Sequence, residues 1–335
     1  MRTDPPLRFA PGPEPNTVRA ADGTARTWDL DPACGPLIRC GDRVLAADFA
    51  ADGRSLAIGT GAGDVRLFDA ATLLPRMRLA TGAGRVNAVT FTPDGGRVAA
   101  ASDDGGVRIW AVASDGPPTL LRPHDRRVYS VAFSASGRLV ATASEDRTVR
   151  VMDLESEAPA CRPLPHPGRA FCAAFAPGDG LLATACEDGI VRLWDPATAG
   201  EAMRLEGHDG AVNWLAFAAD GGRIATASSD GTVRIWSLVD RGPPTVLTGP
   251  ARQVWKVAFS ADGTRVAAAA ADGTVHLWDA ASGRALPLRP GHGDQAWAVA
   301  FAPDGRSLVS GSWDGTARLW GVSVAELARR RATAR

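Results

Sequence analysis

The sequence predicts an all-β fold built from repeated units of four short antiparallel strands. Three observations predict it: an internal repeat, β-prone segments within each copy, and Asp-Gly turns between those segments. The repeat is visible in an eight-residue segment, of which DGTVRIWS and DGIVRLWD are two copies. Its aromatic or Met position recurs eight times, at Trp28, Phe68, Trp110, Met152, Trp194, Trp236, Trp278 and Trp320. The first interval is 40 residues and each of the next six is 42, so one uninterrupted repeat organises the chain.

Each copy divides into short strands separated by turn signals. In the copy that ends at Trp236, VNWLAF, RIATAS and TVRIW are predicted strands, and PTVLT supplies a fourth. The Ser229-Asp230-Gly231 sequence marks a hairpin, because Gly adopts the positive φ of the turn without strain. No helical periodicity occurs before residues 324–331. One four-stranded unit cannot bury its faces alone, so the copies are expected to stack radially into a closed propeller.

The copies are not equally complete. We call the eight aromatic or Met positions of the repeat its anchors. A Phe stands 19 residues before every anchor, from Phe9 in the first copy to Phe301 in the last. The first copy, residues 1–34, is a degraded unit, because prolines surround its opening strand and remove backbone donors. Residues 35–320 hold seven complete units of the same propeller, which we number one to seven, and residues 321–335 form a C-terminal tail.

Two closures of the ring are compatible with these units. In one, a strand near residues 36–40 completes the blade that ends at Trp320, and the ring has seven blades. In the other, the degraded copy forms its own blade and the ring has eight. The intact Asp22-Gly23 turn and Trp28-Asp29 pair favour eight blades, which is our prediction. A fragment of a longer repeat protein is a third alternative.

Three elements of the repeat resemble those of the WD-repeat family: a Gly-His pair, a Ser/Thr-x-Asp turn and a Trp-Asp ending. The resemblance covers about residues 7–320, and its seven or eight copies in phase make it highly specific. It implies a propeller that serves as an interaction scaffold and has no catalytic activity. It also implies that a His, a Ser or Thr, an Asp and a Trp form a hydrogen-bonded set within a blade.

Two copies carry this set complete, as His208, Ser228, Asp230, Trp236 and as His292, Ser312, Asp314, Trp320. Two more are partial: Cys186 replaces the hydroxyl beside His166, and Met152 replaces the Trp beside His124. His, Ser and Asp are also the members of a catalytic triad. Recurrence at 42-residue intervals favours blade architecture instead, because a satisfied buried polar network specifies one packing.

Candidate partner-binding residues come from repeat positions that carry aromatic or polar side chains. Four tryptophans are not anchors, and all fall in units five to seven: Trp214, Trp255, Trp297 and Trp313. The position 23 residues before each anchor holds Leu45, Asn87, Tyr129, Phe171, Asn213, Trp255 and Trp297. In the family, this position lies around the channel mouth on the narrower face. Trp and Tyr are typical of binding hot spots, and packing between blades is the alternative role of a bulky residue here.

A basic row lies two residues earlier, at Arg43, Arg85, Arg127 and Arg169. Such a row suits an acidic or phosphorylated peptide. Three of these units have an acid just before the turn Asp, so their arginines are expected to be paired within their own blades, with Asp103, Glu145 and Glu187. The sequence thus predicts an ion-paired sector over units two to four and an aromatic sector over units five to seven. The predicted partner contacts are Tyr129, Phe171, Trp214, Trp255, Trp297, Trp313, Arg43, Asn87 and Asn213.

Composition narrows the kind of partner. The formal net charge is zero, with 37 basic and 37 acidic residues, which argues against nucleic acid and membrane surfaces. No segment has the apolar length of a membrane span, and no secretory signal is expected at the N-terminus. The five cysteines have no metal-ligand spacing, and we expect no metal, no cofactor and a reducing, cytoplasmic compartment. Lys256 is the only lysine, which indicates a GC-rich and bacterial genome.

The predicted function is a non-catalytic scaffold or sensor that binds a partner protein or peptide on the channel-mouth face, as a monomer. One alternative is a propeller enzyme with a site in the channel, which would need acids or histidines that break the repeat there. Another is a propeller that binds a small ligand or glycan through its tryptophans. The partner itself does not follow from resemblance at the level of the fold.

Overall fold

The computed structural model describes residues 35–322 except 83, 115, 157 and 289–290, together with short strands nearer the N-terminus. Side chains are described from residue 37 onward. Several predictions lie outside the described residues, namely those on Phe9, the Asp22-Gly23 turn, the Trp28-Asp29 pair and residues 324–331. The described part has no helix with the length and apolar character that crossing a membrane requires.

Seven antiparallel sheets, blades 1 to 7, make up the described ring, and each has four strands in order from the channel outward. Blades 1 to 3 comprise Val44–Phe49, Ser55–Thr60, Asp64–Asp69, Pro75–Ala80; Val86–Phe91, Arg97–Ser102, Val107–Ala111, Thr119–Leu121; and Val128–Phe133, Leu139–Ser144, Thr148–Asp153, with Ala158–Pro159 and Leu164–Pro165 as a split outer strand. Blades 4 and 5 comprise Ala170–Phe175, Leu182–Cys186, Val191–Asp195, Gly200–Leu205; and Val212–Phe217, Arg223–Ser228, Val233–Ser237, Thr245–Leu247. Blades 6 and 7 comprise Val254–Phe259, Arg265–Ala270, Val275–Asp279, Ala285–Leu286; and Ala296–Phe301, Ser307–Ser312, Thr316–Gly321, Gly35–Arg39. Thr17–Arg19 and Ala25–Thr27 form a separate two-stranded sheet, and Leu30–Asp31 pairs with the strand at 35–39 as an additional, outermost strand of blade 7.

The ring closes through the strand Gly35–Arg39, so it has seven blades and the prediction of eight is wrong. This strand pairs antiparallel with Thr316–Gly321, and Ile38 lies opposite Ala317. The third strand of blade 7 would otherwise present an unpaired edge, and the segment before blade 1 covers it. Ile38 also packs in one apolar cluster with Ala317 and Val44, so the closure joins the two ends of the ring by burial as well as by hydrogen bonds.

The apolar core lies between neighbouring blades. Val233 of blade 5, for example, packs in one cluster with Val266 and the anchor Trp278 of blade 6, and Trp278 is 1% exposed. Blades 7 and 1 approach so closely that a Cβ at Gly311 would collide with Val44. Burial between blades therefore stabilises the ring, because a single blade has no second layer to cover it.

Turns join the second and third strands where the sequence has its Asp-Gly pairs. Gly231 has a φ of +83°, which residues with a side chain rarely adopt. In blade 3 the same position is Arg147, at φ +68°. The Asp before it stabilises the turn, since Asp230 accepts a hydrogen bond from the Thr232 N–H at 2.8 Å. These turns reverse the chain between the antiparallel second and third strands, and they lie at the channel-mouth face.

A β-bulge interrupts the innermost strand of every described blade. In blade 5, Val212 pairs with Ser228 and Trp214 pairs with Ala227, so Asn213 has no partner in the ladder. The bulge residues are Leu45, Asn87, Tyr129, Phe171, Asn213, Trp255 and Trp297. A bulge locally re-aims a side chain, and here it turns one residue per blade toward the channel mouth.

Candidate functional site

A cavity of about 390 Å³ opens at the channel mouth, and all seven bulge residues line it. Trp214, Trp313 and Lys256 complete its aromatic and basic wall. Eight of the nine predicted partner contacts line this cavity, and the ninth, Arg43, lies against Trp313. The structure therefore brings the predicted residues together at one place.

Three tryptophans and one arginine form a continuous stack along one side of the mouth. The ring centroids of Trp255 and Trp297 are 4.3 Å apart with planes at 11°, and those of Trp297 and Trp313 are 5.3 Å apart at 2°. The Arg43 guanidinium lies 4.4 Å from the Trp313 centroid. We call these four residues the Trp stack; it runs across blades 6, 7 and 1 and is held by aromatic and cation–π contacts.

A smaller aromatic pair lies on another side of the mouth. The rings of Tyr129 and Phe171 are 5.2 Å apart and tilted by 56°. The Arg169 guanidinium sits 5.2 Å from the Phe171 centroid while its Nη2 donates to Glu187 at 2.7 Å. Aromatic side chains thus extend into blades 3 and 4, beyond the sector predicted for them.

Trp214 and Lys256 form the floor of the cavity. Trp214 extends from blade 5 and packs against the apolar cluster of blades 2 and 3 as well as its own, so it spans the channel. The Lys256 ammonium lies 4.3 Å from its ring centroid. Both residues also line a second cavity, of about 470 Å³, at the opposite mouth. Trp214 is therefore the partition between two cavities, whereas the sequence predicted a partner contact without this structural role.

Asn87 and Asn213 join neighbouring blades. Each Nδ2 donates at 2.9 Å to a main-chain carbonyl of the next blade, at Val128 and Val254. Asn87 also donates to Asp103 at 2.9 Å. These two predicted partner contacts thus use their amide hydrogens inside the ring, which is the packing role that the sequence left open.

The arginine row follows the predicted pairing in two blades out of three. Arg85 pairs with Asp103 at 3.1 Å, and Arg169 pairs with Glu187 at 2.7 Å. Arg127 was predicted to pair with Glu145, and this is wrong for the described chain: its ion pair is with Asp103 of the preceding blade, at 3.8 Å. Arg127, at the start of blade 3, thus lies beside the turn of blade 2, and the Asp103 carboxylate pairs with two guanidiniums.

The hydrogen-bonded set of blade 5 contains a different hydroxyl from the predicted one. Trp236 Nε1 donates to Thr226 Oγ1 at 2.9 Å, and His208 Nε2 lies 2.7 Å from the same oxygen. Ser228 was predicted in this place; it instead accepts from the Asp230 N–H at 3.1 Å and donates to the main chain of the turn region. Ser228 is the last residue of its strand, two residues beyond Thr226, and the indole N–H of Trp236 does not reach it.

In the other sets, too, the bridging hydroxyl lies two residues before the predicted position. In blade 7, Ser310 and not Ser312 accepts from Trp320 Nε1 at 2.8 Å and lies 2.7 Å from His292 Nε2. In blade 4, Thr184 accepts from Trp194 and lies 2.8 Å from His166 Nε2. There His166 Nδ1 lies 3.1 Å from the Leu164 carbonyl oxygen, while the expected aspartate pairs with an arginine.

The electrostatics of the set fit a neutral imidazole. His208 Nδ1 lies 2.7 Å from Asp230, and burial lowers the pKa of His208. Burial opposes the charge of Asp230, but hydrogen bonds from Thr232 and His208 outweigh it and lower its pKa to about 2. The Thr226 hydroxyl is fully buried, so no substrate reaches it and the His–Asp–hydroxyl chain is structural.

Two signals in the sequence would have found the missed residues. A Ser or Thr stands 10 residues before the anchor only in the units that carry the His, at Thr142, Thr184, Thr226 and Ser310. The remaining units have Ile58, Ala100 and Ala268 there. Lys256 breaks the repeat in the same way, because most units have Ala, Ser or Cys at its position.

Among the described residues, the cysteine, histidine and acidic side chains form neither a metal-ligand cluster nor a disulfide. No group of three or more His, Cys, Asp or Glu side chains among them is placed to hold a metal ion. Cys40, Cys161, Cys172 and Cys186 are all unpaired. Burial raises the pKa of Cys172 to about 12, so its thiol stays protonated near neutral pH.

The comparison with protein families agrees with this architecture. The family model described as "WD domain, G-beta repeat" matches six segments, at residues 76–111, 117–153, 162–195, 201–237, 242–279 and 285–321. Among curated proteins, no match to the chain is found. Propellers of this family are commonly protein-interaction scaffolds and are generally non-catalytic. The matched segments cover well over half of the sequence, and the chain belongs to the WD40 repeat family.

Proposed function

We propose that this propeller is a non-catalytic interaction scaffold that binds a partner peptide or protein segment at the channel mouth. The observation that carries the proposal is the Trp stack. Its three indole rings are half-buried at the wall of a cavity, where a partner reaches them. Trp and Arg, the two residue types of the stack, are those on which binding energy concentrates in interfaces.

Packing between blades is the competing role, and two features favour binding over it. The anchor Trp278 is sealed between blades, whereas the stacked rings keep exposed surface. Among the described residues, the indole N–H groups of Trp297 and Trp313 have no acceptor, while the anchor Trp236 donates to a hydroxyl. Buried donors in a purely structural role are nearly always paired, so these two buried and unpaired groups distinguish the stack from the structural anchors.

Peptide selection tests the proposal. The native protein is used to select from a random-peptide library displayed on phage, and the selected peptides are synthesised and measured by fluorescence anisotropy. Replacing Trp255 and Trp297 together by Ala should weaken binding on the order of a hundredfold, because two hot-spot side chains are removed. Circular dichroism and the thermal midpoint establish that the variant remains folded.

The matched control removes exposed apolar side chains away from the mouth. Val239 and Val246 of blade 5 are 78% and 46% exposed, and neither lines the mouth cavity. Replacing both by Ala should leave peptide affinity unchanged. Equal affinity of the native protein and the double Trp variant for every selected peptide would contradict the proposal.

A further inference from the structure

The lone lysine of the chain occupies the floor of the mouth cavity. Lys256 directly follows the bulge residue Trp255 on the innermost strand of blade 6, and it is 8% exposed. The corresponding residues of the other blades carry no positive charge: Ala46, Ala88, Ser130, Cys172, Trp214 and Ala298. At this level of the channel, Lys256 is the one cation among the described residues.

The Lys256 ammonium lacks a counter-ion in direct contact. Within the described part of the chain it has no hydrogen bond and no ion pair, and it lies 4.3 Å from the centroid of the Trp214 ring. Asp48 and Cys172 are the titratable groups that face it, without contacting it. Burial lowers the pKa of Lys256, which reflects the cost of keeping an unpaired charge out of water. An anion that reached Nζ would offset that cost.

The rest of the cavity wall also favours an anion. Three arginines line it with Lys256, against a single lining carboxylate, that of Asp103. Asp103 is shared between Arg85 and Arg127, at 3.1 Å and 3.8 Å, and it cannot neutralise both. Arg169 pairs with Glu187 at the rim. The excess of positive charge attracts a carboxylate and repels a lysine or arginine side chain of a partner.

We propose that the channel mouth binds a peptide by taking one of its Glu or Asp side chains into the cavity, with Lys256 as the counter-ion at the floor. The inference rests on the proposed function, because the same mouth and the Trp stack hold the rest of the peptide. A cavity of about 390 Å³ accommodates one such side chain with an aromatic neighbour against the Trp stack. The acid supplies the oxygen that the ammonium lacks, and the stack supplies the apolar contact.

Asp48 sets the strength of this site from the other side of the partition. It lines the opposite cavity and not the mouth, and its carboxylate accepts the Phe91 N–H at 3.2 Å. When ionised, the Asp48 carboxylate attracts the Lys256 ammonium and reduces the positive potential that attracts a partner's acid. The variant Asp48→Asn keeps an acceptor for Phe91 and removes the competing charge, so it should strengthen acid binding.

The single lysine makes the test direct, because protein labelled with ¹³C- and ¹⁵N-lysine gives one side-chain spin system in an NMR spectrum. The probes are the synthetic peptide acetyl-Ala-Phe-Glu-Ala-amide and the same peptide with Gln in place of Glu. The Glu peptide should shift the Lys256 signals saturably and bind on the order of tenfold more tightly than the Gln peptide. Asp48→Asn should raise the affinity for the Glu peptide alone.

The variant Lys256→Met removes the charge and keeps an unbranched apolar chain beside Trp214. Replacing a buried charged side chain by an apolar one of similar volume usually leaves the fold intact. In this variant, followed by Trp fluorescence, the two peptides should bind equally. Equal binding of both peptides to the native protein, no saturable shift with either one, or a Glu preference that survives Lys256→Met would overturn the inference. If binding requires Trp255 and Trp297 but is equal for the Glu and Gln peptides, the inference about Lys256 fails and the proposed function is retained. If the preference for the Glu peptide is unchanged when Trp255 and Trp297 are replaced by Ala, the proposed function is contradicted instead.

Discussion

Replacing Thr226 by Val tests the hydrogen-bonded set of blade 5, because Val keeps the branched shape and removes only the hydroxyl. That hydroxyl is fully buried, accepts the Trp236 indole N–H at 2.9 Å and lies 2.7 Å from His208 Nε2. Without it, two ring nitrogens remain buried and unpaired. An unpaired buried polar group costs about 1–3 kcal/mol, so with two such groups the free energy of unfolding should fall by roughly 2–6 kcal/mol.

Urea denaturation at pH 7, followed by circular dichroism, measures this loss. The matched control is Ser228→Ala, since Ser228 is equally buried but bonds only main-chain groups of Asp230 and Gly210, at 3.1 Å and 3.2 Å. Asp230 and Gly210 are themselves partly exposed residues of the turn region, so water replaces this hydroxyl more readily than that of Thr226, and the control should lose about 0.5–1.5 kcal/mol. A control that costs as much as Thr226→Val would refute the assignment of the bridging hydroxyl to Thr226.

Three further predictions concern acid sensitivity, ring closure and contacts between blades. Burial lowers the pKa of His166 from 6.5 to about 4, so between these values the unfolded chain binds a proton that the fold does not, and stability rises with pH. The difference in unfolding free energy between native protein and His166→Asn should therefore grow by about 3 kcal/mol from pH 4 to 6.5 in urea titrations, and a constant difference would contradict the burial of a neutral ring. Ile38→Asp places a charge in the closing strand and should lower the free energy of unfolding by more than about 3 kcal/mol; an unchanged urea midpoint would exclude closure through residues 35–39. Asn87→Ala removes the 2.9 Å bonds to Asp103 and to the Val128 carbonyl and should cost about 1–3 kcal/mol in the same assay, whereas no loss would leave Asn87 free for a partner.

Much of the fold follows from the spacing of the repeat. The constant 42-residue interval places equivalent residues at equivalent positions of successive blades, so the strands, the turns and the ring of residues 23 before each anchor were predictable. The same spacing brought Trp255 and Trp297 to one wall. It did not predict that this position is a β-bulge, because the extra residue is defined only by the pairing of its neighbours.

The differences arise where a contact depends on distance in three dimensions. Seven blades and not eight form because the free edge of the last blade pairs with residues 35–39, a long-range event that composition near Trp28 does not reveal. Thr226 and Ser228 lie on the same side of one strand, and only the reach of the indole distinguishes them. Arg127 pairs with Asp103 across the boundary between two blades, and residue spacing within one blade does not predict that pair.

Binding of partners at the channel mouth is tested most directly by a crystal structure of the protein with a selected peptide. Such a structure should show peptide density over Trp255 and Trp297, with the mouth cavity filled. Density confined to the opposite mouth or to an outer blade edge, with the Trp stack uncovered, would contradict it.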